Sequence, residues 1–184
     1  MSNSRAIGLV EYKSVPIGIE SANAMLREAD VELLFSSPIC PGKYVSIVEG
    51  TVDAVRRSLA KAERVGGTFL LDLQLILNPN EQVRPAITGT TAVDAVENVG
   101  GVETMGAIAS VRAADLAAKS SNIKLIEVRI ARGLGGKSFV LFCGELESVK
   151  NAVAVCQREI GEEGGITSTT VVSSVHPQLV PFLF

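Results

Sequence analysis

The sequence predicts an α+β protein made of two tandem ferredoxin-like domains, residues 1–90 and 91–184, each a small antiparallel sheet flanked by helices. Internal repetition is the first observation behind this. Ile7-Gly8-Leu9-Val10-Glu11 recurs as Val99-Gly100-Gly101-Val102-Glu103, and Ala22-Asn23 with Arg27 recurs as Ala114-Asp115 with Lys119, both 92 residues on. Gly42-Lys43 and Gly50 recur as Gly136-Lys137 and Gly144 after 94, so the second copy gains two residues in the loop before Gly136. Pro79 and Pro177 match if the offset grows to 98. The second observation is that short apolar runs alternate with segments of helical periodicity in the same order in both copies. The third is composition: 47% of the 184 residues are apolar but only 4% aromatic, with no Trp, so the core is built from Ala, Val, Ile and Leu.

Each copy opens with an apolar strand, Ile7–Tyr12 or Val99–Thr104. A helix follows, and in the first copy Ala22, Met25, Leu26 and Ala29 take the i, i+3, i+4, i+7 spacing of one buried face. A second strand, Val31–Ser36 or Ile123–Val128, leads into a loop rich in Gly and Pro or Gly and Arg. The third strand, Tyr44–Val48 or Ser138–Cys143, ends at Gly50 or Gly144. The next helix carries its stripe at Val52, Val55, Leu59 and Ala62, or at Leu146, Val149, Val153 and Cys156. Asp53 and Glu147 fall in the first turn of these helices, where negative charge suits the positive end of the helix dipole. A last strand, Thr68–Leu77 or Ile166–Val175, closes each unit, and the polar Thr88-Gly89-Thr90-Thr91 run marks the link between them.

Several function classes are disfavoured. A net charge of −3 leaves no footprint for a nucleic-acid backbone or an anionic membrane surface. The apolar run Phe69–Leu77 is too short to span a bilayer and contains Asp72 and Gln74. No secretory signal is read at the N-terminus, and three cysteines without a CxxC pair suit a reducing compartment, so a cytoplasmic location is expected. An enzyme is not expected. The one histidine, His176, has no partner pattern, and neither a G-x-S-x-G elbow nor a P-loop occurs. Gly133-Leu134-Gly135-Gly136-Lys137 lacks phosphate-loop spacing and precedes a strand rather than a helix.

Features shared by both copies make the fold; features of one copy are candidates for special function. The shared Gly-Lys belongs to the first kind, while the loops before it differ. The first contains Ile39-Cys40-Pro41-Gly42-Lys43, and the second Arg132-Gly133-Leu134-Gly135-Gly136 before Lys137. Proline restricts Cys40 toward extended backbone, Gly42 permits a tight turn, and Lys43 brings positive charge that favours a thiolate. One cysteine cannot hold a metal cluster, whereas three copies around a threefold axis would bring three thiolates together. An inert loop thiol fits the same residues. Cys143 and Cys156 sit on apolar stripes as small hydrophobes. Arg27 and Lys119 lie on the polar side of their helices, as a solvated face or a contact between subunits.

Ala6–Glu11, the helix Ala22–Ala29, the loop to Gly42-Lys43 and the duplication of all three resemble bacterial microcompartment shell proteins of the tandem-domain, trimer-forming class. Ile39-Cys40-Pro41-Gly42-Lys43, Pro85-Ala86-Ile87 and Val102-Glu103-Thr104 are similar to the propanediol-utilisation type that carries an iron–sulfur cluster. The resemblance implies homotrimers that form flat pseudo-hexamers and tile with other shell proteins. It implies a pore lined by Ile39, Pro41, Gly42, Lys43, Arg132, Gly133, Leu134, Gly135 and Gly136. It further implies one [4Fe–4S] cluster per trimer on Cys40, exchanging electrons across the shell with a redox enzyme, and tile-edge contacts by Arg27 and Lys119. Two alternatives stand beside it: a shell subunit with a plain metabolite pore, and a soluble small-ligand-binding trimeric signalling protein. The Pro-Arg-Pro-His type motif of single-domain relatives is replaced by Leu77-Asn78-Pro79-Asn80 and Val175-His176-Pro177-Gln178. The apolar end Leu179–Phe184 is expected to dock on this or a neighbouring subunit.

Overall fold

A computed structural model describes residues 5–93, 95–130, 133–161 and 165–183. Two compact units result: the described residues up to Pro79 together with 133–136, and the remainder. Residues 80–88 pack with the second unit, although in sequence they follow the first copy's last strand.

The first unit runs β1 (Arg5–Tyr12), α1 (Val15–Glu28), β2 (Val31–Ile39), β3 (Lys43–Thr51), α2 (Val52–Gly66) and β4 (Leu70–Leu77). Its sheet has the order β2-β3-β1-β4, with every neighbouring pair antiparallel. Ser14 caps α1 by accepting from the Ile17 amide, and Thr51 caps α2 by accepting from Ala54. Ala6, Val10, Tyr12 and Val48 of the sheet pack against Met25 of α1 and Val55, Leu59 and Ala62 of α2. The apolar stripe of α2 is as expected, but that of α1 is not. Its buried residues are Gly18, Ser21, Ala22 and Met25, while Leu26 is exposed and Ala29 is the C-cap. A narrow small-residue seam brings the α1 backbone close to Tyr44, which rotates Leu26 onto the flank.

The second unit repeats this with β5 (Asn98–Thr104), α4 (Ala109–Ser120), β6 (Ile123–Ile130), β7 (Ser138–Gly144), α5 (Leu146–Gly161) and β8 (Ile166–Val172), in the order β6-β7-β5-β8. Even the irregularities recur. The register shifts between Glu11 and Tyr12 and between Glu103 and Thr104, and again between Leu33 and Phe35 and between Leu125 and Glu127. Pairing also corrects the alignment near the ends. Val10 faces Leu73 and Val102 faces Thr169, so the last strands are offset by 96, not 98. Gln178 is therefore the counterpart of Gln82, and Pro181 of Pro85. Asn78 and Ser174, which share this offset, both adopt left-handed backbone at φ 45 and 52°.

Residues 80–92 add a short helix that the sequence reading did not place, α3 (Val83–Thr88), with Val83, Ala86 and Ile87 buried and α3 packed on β6 and α4. The Asn80 amide donates to Asp115 Oδ1 at 2.8 Å. Gln82 lies along the free edge of β6: its Nε2 donates to the Ile123 carbonyl at 3.1 Å and its Oε1 accepts from the Leu125 amide at 2.9 Å. Thr91 Oγ1 donates to the Ile126 carbonyl at 2.6 Å. A strand edge that would otherwise present unpaired backbone is thereby covered. Part of the apolar tail docks: Val180 and Leu183 pack on Val99, Ile126, Cys143 and Val175 of the second unit, whereas Leu179 and Phe182 are exposed and Phe184 lies outside the described residues.

Candidate functional site

The loop carrying Cys40 is shorter than its Gly/Pro composition suggests. Ile39 pairs with Lys43, so β2 and β3 run to the tip and leave a three-residue turn, Cys40-Pro41-Gly42. Gly42 takes φ +71°, a left-handed position that favours glycine. Ile39 is buried below the turn and Cys40 is exposed at its tip. The Lys43 ammonium is 2.7 Å from Glu11 Oε1, so its charge is matched by a buried carboxylate at the base of the hairpin. The equivalent pair in the second unit is Lys137 with Glu103, at 2.9 Å. The shared Gly-Lys is thus a structural bolt in both halves, tying the start of the third strand to the end of the first.

In the second copy Ile130 pairs with Ser138, the counterparts of Pro38 and Tyr44, which confirms the two added residues. Gly133, Gly135 and Gly136 have φ of +72, +62 and +90°. A Cβ on Gly136 would stand 3.3 Å from both the Cys40 carbonyl oxygen and Pro41 Cδ. The glycine loop therefore packs directly against the Cys40 turn, within the first unit. Arg132 lies outside the described residues.

Glu103 is bonded from the last strand as well as from Lys137. The Thr167 hydroxyl at 2.6 Å, the Lys137 ammonium and the Ser168 hydroxyl hold its carboxyl below the usual carboxylate range. Neither sequence motif nor spacing pointed to Thr167, because the contact is made across paired strands.

Arg27 is exposed in the last turn of α1. Lys119 holds the same position on α4, with its ammonium 2.6 Å from Asp115 Oδ2. The other two cysteines are buried: Cys156 Sγ donates to the Ala113 carbonyl and burial pushes its thiol up to about 12, while burial also raises Cys143. His176 is exposed, and its Nδ1 accepts from the Gln178 amide. Among the described residues no group of three or more His, Cys, Asp or Glu side chains is placed to hold a metal ion. One chain offers a cluster one exposed thiol. That donor set fits three irons of a four-iron cluster when three chains contribute, and fits none within one chain. No described helix is long and apolar enough to cross a membrane.

Two units of one sheet topology, with Gly136 of the second loop set against the Cys40 turn, define a tandem-repeat α+β protein. The BMC domain family model matches residues 6–79 and 98–175, so this chain belongs to the bacterial microcompartment shell protein family, as a tandem-domain member. It is 39% identical to the bacterial microcompartment shell protein PduT of Citrobacter freundii, across 96% of both chains. It is 33% identical to the carboxysome shell protein CcmK1 of Thermosynechococcus vestitus, over 55% of this chain and 96% of that one. A crystal structure of a microcompartment protein from Desulfitobacterium hafniense superposes with a TM-score of 0.92 at 38% identity, covering 96% of this chain and 98% of the other. These relatives carry the names of shell and microcompartment proteins, not of enzymes.

Proposed function

We propose that three copies of this chain form a pseudo-hexameric tile in a cytoplasmic microcompartment shell, with the three Cys40 turns around the central threefold axis holding one [4Fe–4S] cluster. The observation that carries the tile reading is identity to a shell protein along nearly the whole chain, with each chain supplying two of six domains. Family membership disfavours the signalling-trimer alternative. The cluster reading draws support from Cys40, which the second copy lacks at the equivalent loop and which sits exposed at a pinned hairpin tip.

When bound, the cluster supplies one-electron transfer, suited to a redox partner on either side of the shell. Cys40 provides one thiolate per chain, and one iron keeps no protein thiolate. The Lys43–Glu11 bond fixes the hairpin base and so the thiol's position. Gly136 lets the second loop's backbone lie close to the turn without a side chain intruding. Arg27 and Lys119, on equivalent helix ends, face neighbouring tiles.

Anaerobic purification followed by visible and EPR spectra, with iron counted, tests this. About four irons per trimer are expected, with cubane absorbance that Cys40→Ser abolishes while trimer mass is retained. Iron near zero after anaerobic reconstitution overturns the cluster and leaves a tile whose pore passes small molecules.

A further inference from the structure

The two halves differ in what covers one repeated surface. In the second unit Val111 of α4 and Leu125 of β6 are buried, and α3 packs on both elements. The counterparts in the first unit are open. Ile19 (for Val111) is 54% exposed, Leu26 (for Ala118) 41% and Leu33 (for Leu125) 39%. Beside them β2 forms the free edge of its sheet, and a cleft of about 610 Å³ opens at Asp30, Val31 and Glu32. The equivalent residues Asn122, Ile123 and Lys124 line a smaller cleft, of about 420 Å³, that they share with Gln82, Pro85 and Thr91.

The chain also contains a second version of the covering segment. At the offset of 96, Gln82, Val83, Pro85 and Ile87 correspond to Gln178, Leu179, Pro181 and Leu183. The entry turns agree, although Val83–Thr88 is an α-helix and Val180–Phe182 a single 3-10 turn. The Gln82 amide donates to Asn80 Oδ1 at 3.0 Å, and the Gln178 amide to His176 Nδ1 at 3.3 Å. The Val83 amide donates to the Asn80 carbonyl, and the Leu179 amide to that of His176. Yet Val83 and Ala86 are buried, whereas Leu179 is 47% and Phe182 82% exposed. Val180 and Leu183 hold this turn on its own unit, so Gln178, Leu179 and Phe182 are presented outward.

We infer that the turn 176–183 of one copy docks on the open face of α1 and β2 in a second copy, repeating between chains what residues 80–88 do within one. Leu179 and Phe182 cover Ile19, Leu26 and Leu33 there, and the Gln178 carboxamide bridges the Val31 carbonyl and the Leu33 amide, as Gln82 bridges Ile123 and Leu125. The contact is head-to-tail, so it closes into a ring under rotational symmetry. The inference rests on the tile reading in that copies of the chain must associate.

The test is molar mass by light scattering in a Cys40→Ser background, where no cluster can contribute. The parent should run as a trimer, and both Leu179→Asp/Phe182→Asp and Ile19→Asp/Leu26→Asp should fall to one third of that mass with circular dichroism unchanged. These residues are exposed, so the substitutions leave the core intact. In the same background, chains carrying Glu32→Cys and chains carrying Gln178→Cys, co-expressed and treated with a short bismaleimide, should yield a covalent two-chain species. Trimeric variants and no such species overturn the inference while leaving the tile reading standing. A monomeric parent overturns both.

Discussion

Gly18 and Tyr44 in the first unit, and Ser110 and Ser138 in the second, occupy the same two places: the helix after the first strand and the start of the third strand. In the first, a Cβ on Gly18 would collide with the Tyr44 side chain, and the Tyr44 hydroxyl reaches Ser36 Oγ at 2.9 Å. In the second, both positions are small hydroxyls. Ser138 Oγ donates to the Gly106 carbonyl at 2.7 Å and meets Thr104 Oγ1 at 2.9 Å. Ser110 Oγ is buried without a hydrogen-bond partner among the described residues. One backbone thus accepts either a large ring against a glycine or a polar knot against a serine. What duplication conserves is the strand order and the backbone path, not the residues that fill the two places.

The strongest way to break that comparison is to add the missing methyl. Gly18→Ala should cost about 3 kcal/mol in urea unfolding, because the ring has no room to retreat. Gly18→Ser with Tyr44→Ser imports the second unit's solution and should cost less than the two single changes summed; strict additivity would show that the positions do not share volume.

The lysine bolts give a smaller contrast. Only 3% of the Glu11 side chain is exposed, against 28% for Glu103. Glu11→Gln strands a half-buried ammonium and should cost about 2 kcal/mol, less than a fully buried pair because Lys43 keeps some water. Glu103→Gln should stay within about 1 kcal/mol at neutral pH, since Lys137 is solvent-screened. The difference reappears in acid. The folded carboxyl of Glu103 lies below its unfolded value, so its contribution is present above about pH 4.3 and is lost as pH falls through the lowered value. Glu103→Gln should flatten the stability curve in that window, and an unchanged curve would remove Thr167 and Lys137 from the account.

Smallest of all, Ser110→Ala should lie between no change and a gain of about 1 kcal/mol in thermal or urea unfolding, because it deletes a buried hydroxyl that forms no bond. A clear loss would mean that this hydroxyl has a partner the comparison misses.

Much of this was legible in the residues. Repetition with a two-residue insertion located both loops, and short apolar runs and the period-3.6 pattern, read in parallel in both copies, placed every strand and the long helices. Cys40 stood out because the second copy has no cysteine in that loop. Other features were not legible. Leu26 matches the helical spacing of a buried face, yet the face is decided by Gly18 and Ala22 letting the helix approach Tyr44. The short helix α3 has six residues, too few to show a period. Pro79 and Pro177 suggested an offset that the strand ladder corrects by two.

The sequence by itself determined the duplication, the order of the strands and long helices, and the aliphatic core. These are written in local periodicity and in the chain's likeness to itself. Tertiary structure decided which partner lies on each face: Glu11 under Lys43, Thr167 beside Glu103, Gln82 along the edge of β6, and open solvent over Leu33 where Leu125 is covered. Periodicity states that a face is apolar. What covers it depends on residues tens of positions away, whose approach is set by how all the elements pack together.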